Sequence, residues 1–259
     1  MKYKILLTAV LAGSFFMAKA QQTAKPEDTE IWTPEPPVVT PGKTVSDPPS
    51  DAIVLFDGSN ENQWVLAKDT TKPADWVVHD GILTVNKASG NGNIQTKLKF
   101  SNYQLHIEWR IPADITGTSQ ARGNSGVFLA STGTGDSGYE LQVLDAYKNK
   151  TYVNGMAGSI YKQFIPLANA AKPPGEWETY DVIWTAPVFN ADSTLKSPAR
   201  ATVFFNGVLV ENNVELKGVT LYIGKPYYKM HGPASIKLQA HGDKSEPLSY
   251  RNIWVRELP

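Results

Sequence analysis

From Asp51 onward the chain breaks into short runs rich in β-branched and aromatic residues, each closed by glycine, proline, asparagine or aspartate at intervals of roughly 8–12 residues. Period-two alternation runs through the longest of them. Tyr103–Ile111 sets Leu105, Ile107, Trp109 and Ile111 against Gln104, His106, Glu108 and Arg110. Ser235–His241 sets Ile236, Leu238 and Ala240 against Lys237, Gln239 and His241. Side chains alternate across a strand, so each run has one apolar and one polar face. No stretch sustains the 3.6-residue period of an amphipathic helix. The expected fold is all-β: a two-sheet antiparallel sandwich of jelly-roll type, one domain over 51–259, with the apolar faces turned toward each other.

The strands expected are Ile53–Phe56, Trp76–Val78 and Ile82–Val85 joined by Asp80-Gly81, Ile94–Phe100, Tyr103–Ile111, Gly126–Ala130 and Tyr139–Leu144. Thr179–Thr185, Ala201–Phe205 with an Asn206-Gly207 turn into Val208–Val210, Ser235–Ala240 and Arg251–Leu258 complete the set. A short helix is expected within 160–172. Seven tryptophans and eleven tyrosines suit an aromatic core, and those left on the surface offer flat platforms for sugar rings.

Ahead of this domain the composition changes twice. Lys2 and Lys4 precede an apolar run, Ile5 to Met17, and Ala18-Lys19-Ala20 fits a small-x-small cleavage site. Residues 1–20 therefore read as a secretory signal peptide, with a mature start near Gln21 and no membrane insertion after cleavage. Residues 21–50 hold seven prolines and few large apolar groups, which is the composition of an extended, disordered tether. There is no cysteine, hence no lipid anchor and no disulfide, and the expected location is periplasmic or secreted. A domain of roughly 210 residues can hold itself together by burial alone. Lysine plus arginine equals aspartate plus glutamate, 25 each, so no charge excess points to nucleic acid or an anionic membrane.

The stretch Arg122 to Asp145 carries the first candidate site. Two strands flank the loop Ser131–Gly138, which is made entirely of turn formers. Glu140 and Gln142 share a face, and Asp145 joins them if a β-bulge intervenes. Paired carboxylates suit acid/base or nucleophilic chemistry, with Gln142 orienting substrate. Arg122 offers a planar cationic fork to a polarised oxygen, and Asn124 hydrogen-bonds sugar hydroxyls. Gln239 and His241 share another outward face at a loop mouth, and Glu108 lies outward beside His106. No paired-histidine spacing, phosphate loop or dinucleotide fingerprint is present. No cofactor is expected, and a calcium-like ion held by loop carbonyls and aspartate stays open.

Phe56-Asp57-Gly58, Trp76 with His79-Asp80-Gly81, Arg122-Gly-Asn-Ser-Gly126, Tyr139-Glu-Leu-Gln142 with Asp145 and Gly158-Ser-Ile-Tyr161 occur in that order. Asn206-Gly207, Leu238-Gln239-Ala-His241-Gly242 and Arg251-Asn-Ile253 follow. Together these motifs resemble the domain of unknown function 1080 family, also called the 3-keto-disaccharide hydrolase domain, over essentially 51–259. The resemblance implies a concanavalin-like jelly roll acting on mono- or disaccharides already oxidised at C3 by a partner sugar 3-dehydrogenase. A C3 ketone acidifies the C2 hydrogen, so a base there lets the C1 substituent leave, and the resulting enone can take up water. The resemblance gives Glu140 or His241 the base role and Arg122, with Gln142 or a metal, the enolate. It adds Tyr161 to the substrate-binding set with Asn124, Gln142, Gln239 and Glu108. Glu140-x-Gln142-x-x-Asp145 also resembles the Glu-x-Asp-x-x-Glu strand of laminarinase-like retaining glycosidases, with an amide in place of the middle acid. A lectin-like module on the same fold is the non-enzymatic alternative.

Overall fold

The structure is a computed structural model describing residues 24–244 and 246–259. The expected signal peptide lies outside the described residues. The chain divides into two units, through Val38 and from Val39 to Pro259. In the first, a 3-10 turn at Pro26–Thr29 is the only regular element among the described residues. The second begins ahead of Asp51: Ser50 N donates to Thr40 O, and the Ser46 carbonyl accepts from Asn252 Nδ2 and Trp254 Nε1, each at 2.9 Å. Residues 39–50, expected within the tether, are thus tied to strand residues by hydrogen bonds from the side chains of Asn252 and Trp254 that composition does not announce.

Sixteen strands occur among the described residues. In chain order they begin β1 (Ile53–Phe56), β2 (Trp64–Leu66), β3 (Asp69–Pro73), β4 (Val77–His79), β5 (Ile82–Thr84) and β6 (Ile94–Thr96). Then come β7 (Tyr103–Arg110), β8 (Ser125–Ser131), β9 (Gly138–Val143), β10 (Trp177–Thr185) and the short pair β11 (Val188–Phe189) and β12 (Leu195–Ser197). The last are β13 (Arg200–Phe205), β14 (Val208–Glu215), β15 (Lys237–Leu238) and β16 (Ser249–Glu257). One sheet runs β14-β13-β10-β7-β16-β5-β4, with β1 added on β16, and the other runs β3-β2-β6-β15-β8-β9. All pairings are antiparallel.

The two sheets enclose one core, because the alternating apolar faces of both contribute to it. Leu105, Ile107 and Trp109 from β7 join Val127 and Leu129 from β8, Leu141 and Val143 from β9, and Leu238 from β15 in one buried cluster. Three buried hydroxyl hydrogen bonds stitch the sheets together. Tyr103 and Tyr180 donate to the carbonyls of Leu129 and Gln142 at 2.6 and 2.7 Å, and Ser125 meets the Tyr250 hydroxyl at 2.6 Å. Each such bond adds a net ~1 kcal/mol, and losing one partner strands the other in the core at a larger cost.

Both expected hairpin turns form, with Asp80-Gly81 at φ 50° and 75° and Asn206-Gly207 at φ 51° and 78°. These are the left-handed pairs a two-residue type I′ connection requires. The helix expected within 160–172 is absent. Pro166, Pro173 and Pro174 crowd that region, and its backbone bonds go instead to β9 and β14: Tyr161 N to Glu140 O and Leu167 N to Val210 O.

Candidate active site

Strand register builds the floor of the site. Across the six-stranded sheet, Val65 pairs with Gln95, Gln95 with Lys237, Lys237 with Phe128, and Phe128 with Glu140. Residues directly opposite share a face, so this row lies on the outer side while Ile94, Leu238, Val127 and Leu141 turn into the core. The next step along the strands sets Gly126 opposite Gln142, and Gln239 N donates to Gly126 O at 3.0 Å. Beyond β9 the backbone continues irregularly. An antiparallel bridge joins Leu141 to Ile160, so Tyr161 stands across from Glu140, and its N–H reaches Glu140 O at 3.1 Å.

Glu140, Gln142, Asn124, Gln239, His241 and Tyr161 line one cavity of about 150 Å³, with Asp136, Thr220 and Tyr222 completing its wall. Six expected site residues therefore meet in one place. Glu140 is 5 % exposed, and among the described residues no hydrogen bond ends on its carboxylate. Burial pushes its pKa up to about 8; the charge of Asp136 adds to the rise and that of Lys237 opposes it. Space for the carboxylate exists because residue 126 is glycine. A Cβ there would stand 2.4 Å from Glu140 Oε1.

The amides around it are half-used. Gln142 Nε2 donates to Asn124 Oδ1 at 2.8 Å, and Asn124 Nδ2 donates to the Gln120 carbonyl at 2.8 Å. Among the described residues, the buried Oε1 atoms of Gln142 and Gln239 have no hydrogen-bond donor. Buried acceptors of this kind are costly unless a partner arrives, and hydroxyl donors of a bound polyol meet that need. His241 is held at its other end, with Nδ1 2.9 Å from Asp243 Oδ2, and Asp243 also pairs with Lys87 at 3.1 Å. A carboxylate on one imidazole nitrogen orients the ring.

Lys237 was legible only as one more polar-face residue, yet it has no exposed surface. Its Nζ donates to the carbonyls of Gly133, Gly135 and Ser137 at 2.9, 2.7 and 3.0 Å, and sits 5.1 Å from the Phe128 ring centroid. The ammonium therefore pins the glycine-rich β8–β9 loop, which carries Asp136 to the cavity mouth. Asn93 Nδ2 holds Asp136 Oδ1 from the other side at 2.8 Å.

Three expected site residues lie elsewhere. Arg122 Nε is 2.5 Å from Asp145 Oδ2, and Asp145 Oδ1 accepts from Tyr147 N at 2.9 Å. Neither residue lines the cavity. The bulge that would have aligned Asp145 with Glu140 is absent, since pairing runs in register from Gly126–Gln142 to Ser125–Val143 and the strand then ends. The irregularity falls instead at the other end, between Phe128 and Ser131. Glu108 belongs to the eight-stranded sheet, where its carboxylate accepts from Arg251 Nε at 2.6 Å and Asn252 Nδ2 at 3.0 Å. Burial works to raise its pKa, but His106, Asn252 and Arg251 outweigh that and hold it at about 2. Among the described residues no cluster of three His, Asp or Glu side chains is placed to hold a metal.

The family model of the 3-keto-alpha-glucoside-1,2-lyase-like domain matches residues 51–256, and the chain belongs to that family. Among solved structures, a "putative glycosyl hydrolase" from Parabacteroides distasonis is 52 % identical, with a TM-score of 0.83 over 90 % of this chain and 97 % of that one. Two further proteins from the same organism, with the same description, are 18 % and 22 % identical, with TM-scores of 0.56 and 0.52. The first pairs 81 % of this chain with 94 % of its own, the second 76 % with 100 %, and both share the fold. No curated protein matches.

Proposed function

We propose that this protein is a carbohydrate-active enzyme that removes the C1 substituent of 3-keto-glycosides by abstracting the proton at C2. The observation that carries the reading is Glu140: a carboxylate with no hydrogen-bond partner among the described residues, 5 % exposed, at the floor of a polar cavity. A base with a pKa near the working pH abstracts carbon-bound protons far better than an ordinary carboxylate does. The family description, a 3-keto-alpha-glucoside-1,2-lyase-like domain, names the matching bond.

In this reading Glu140 takes the C2 proton and charge moves onto the C3 oxygen. His241 is the cavity group suited to that oxygen, because Asp243 engages Nδ1 and Nε2 is the ring nitrogen left to face the substrate. The unfilled Oε1 atoms of Gln142 and Gln239 accept sugar hydroxyls. Arg122 loses the enolate role expected of it and holds Asp145 instead. Retaining glycoside hydrolysis needs two carboxylates roughly 5–5.5 Å apart. Position 142 is an amide and Asp145 is committed to Arg122, so the strand does not supply that pair.

The substrate must come from a reaction that oxidises a sugar at C3, which couples the protein to a sugar 3-dehydrogenase. Residues 1–20 and the absence of cysteine support action in the periplasm or outside the cell, and a mature N-terminus at Gln21 by mass spectrometry checks it.

The test is product analysis on a 3-keto-glucoside and its unoxidised parent, with and without chelator, following enone absorbance. Enone appearing from the keto-sugar alone is expected. Cleavage of the parent points to an ordinary glycosidase, and binding without turnover points to a lectin; either outcome overturns the reading. Loss of turnover with chelator adds a metal to the mechanism.

A further inference from the structure

The Glu140 cavity does not end at Tyr161. It continues into a second cleft of about 400 Å³, and Asn124, Tyr161, Tyr222 and His241 belong to the walls of both. The second cleft is aromatic. Tyr152 and Tyr222 are 38 % and 72 % exposed along it. Lys162 Nζ lies 4.3 Å from the Tyr222 ring centroid and is tied to the Tyr222 carbonyl at 2.7 Å. Lys162 itself has φ 58°, a left-handed conformation that a long side chain rarely takes, and its N–H is held by Asn154 O at 2.6 Å. Strain of this kind persists where surrounding bonds over-determine it.

At the boundary the two hydroxyls of Tyr161 and Tyr152 meet at 2.5 Å. Tyr161 is 9 % exposed and follows the isolated bridge of Ile160 to Leu141, so its backbone faces that of Glu140, while Tyr152 reaches solvent. Glu140 and Tyr161 both line the one cavity, which therefore holds a proton acceptor and a hydroxyl, with the Tyr152 hydroxyl leading outward.

Building on the proposed C2-deprotonation, we infer that the aromatic cleft is the leaving-group subsite and that Tyr161 donates a proton to the departing C1 oxygen, resupplied through Tyr152. The ligand it fits is a ring-bearing alcohol or phenol, whose flat apolar face packs on tyrosine while its oxygen meets the hydroxyl pair. In the step, the C2–H bond breaks and its proton passes to a Glu140 oxygen. Its electron pair moves onto the C3 oxygen as an enolate, which collapses to restore the C3 carbonyl and form the C1–C2 double bond as the C1–O bond breaks with its pair on oxygen. That oxygen takes the Tyr161 proton, Tyr161 takes that of Tyr152, and Tyr152 takes one from water. Glu140 returns its proton to solvent, so no oxidant or reductant is consumed. Burial, the Tyr152 hydrogen bond and the nearby Tyr152 and Glu140 charges hold Tyr161 well above the ordinary phenol range. Such a donor suits alkoxide leaving groups, which need a proton most.

The test is a series of 3-keto-glucosides with p-nitrophenyl, phenyl, methyl and glucosyl leaving groups, assayed on wild type, Tyr161→Phe, Tyr152→Phe and Tyr222→Ala. Melting temperatures confirm that each variant is folded. Tyr161→Phe is expected to lose about 10²–10³-fold in kcat on the glucosyl and methyl substrates but under about 10-fold on p-nitrophenyl, which leaves without help. Tyr152→Phe should show the same pattern, weaker, with a smaller solvent isotope effect. Tyr222→Ala should raise KM for the phenyl and glucosyl substrates and not for methyl. An active wild type with a Tyr161→Phe loss independent of the leaving group, or with no loss, overturns the inference alone. A wild type inactive on all four keto-sugars overturns the C2-deprotonation reading and this inference with it.

Discussion

Glu140→Gln should abolish turnover and make the protein more stable. In the folded protein Glu140 is desolvated and its pKa stands at about 8, against 4.5 for the free side chain. A carboxyl whose folded pKa is raised binds its proton more tightly when folded, so its effect on stability is neutral below pH 4.5. Stability then falls as pH rises from 4.5 to about 8, where the folded carboxyl also ionises. At 1.36 kcal/mol per unit, the full penalty is on the order of 4–5 kcal/mol, of which roughly 3 kcal/mol is felt at pH 7. Glutamine keeps the shape and cannot ionise, so it removes the pH-dependent part. For a unit of this size 1 kcal/mol moves the melting temperature by about 2–4 °C, and the variant should melt about 6–12 °C higher at pH 7. The gain should shrink toward zero at pH 4.5 and reach its maximum near pH 8. Differential scanning calorimetry of both proteins between pH 4.5 and 8.5, alongside the keto-sugar assay, reads both halves. A melting difference that does not change with pH would refute the desolvated-carboxylate argument, and full activity would refute the base.

The same geometry makes three further predictions. Gly126→Ala places a Cβ 2.4 Å from Glu140 Oε1; it should cost ~10²-fold in kcat/KM by displacing the carboxylate while circular dichroism stays unchanged, since the Gly126 backbone is not left-handed. Lys237→Met keeps the apolar stem but strips the carbonyls of Gly133, Gly135 and Ser137 of their donor. It should cost about 2–4 kcal/mol in urea unfolding and abolish amide-exchange protection in 131–138. Because Glu140 acts as its carboxylate, kcat/KM should rise tenfold per pH unit up to about 8 and level off above it; a limb near 4.5 would show an ordinary, solvated carboxylate.

The parts of the site readable in the sequence were those governed by period-two alternation. Glu140 with Gln142 and Gln239 with His241 are each two residues apart, so sharing a face follows from strand geometry alone. Asp145 depended on a bulge, and nothing local says whether the extra residue falls before or after Gln142. Here the strand ends at Val143, and Asp145 goes to Arg122. Glu108 shows a different limit. Alternation marks it as outward, but a sandwich has two outer faces, and only the pairing of β7 with β10 and β16 decides which one. Lys237 read as an ordinary solvated lysine, because burial on a polar face comes from a loop folding over it. Tyr161 was accessible only through its motif, since the segment that carries it has no periodicity.

What gives Glu140 its basicity is therefore not the strand that presents it but the irregular chain around that strand. β9 is the last strand of its sheet, and a bare edge would leave its backbone groups open to solvent or to another chain. Two patternless segments cover it. Thr220 N donates to Gly138 O at 2.7 Å and Glu140 N to Thr220 Oγ1 at 3.1 Å, while the residues around Ile160 bridge to Leu141. Those same segments place Thr220, Tyr222 and Tyr161 around the carboxylate. Covering the edge and drying the base are one structural event, so neither can be altered without the other. This is why a side chain obvious from its spacing owes its chemistry to residues whose spacing shows nothing.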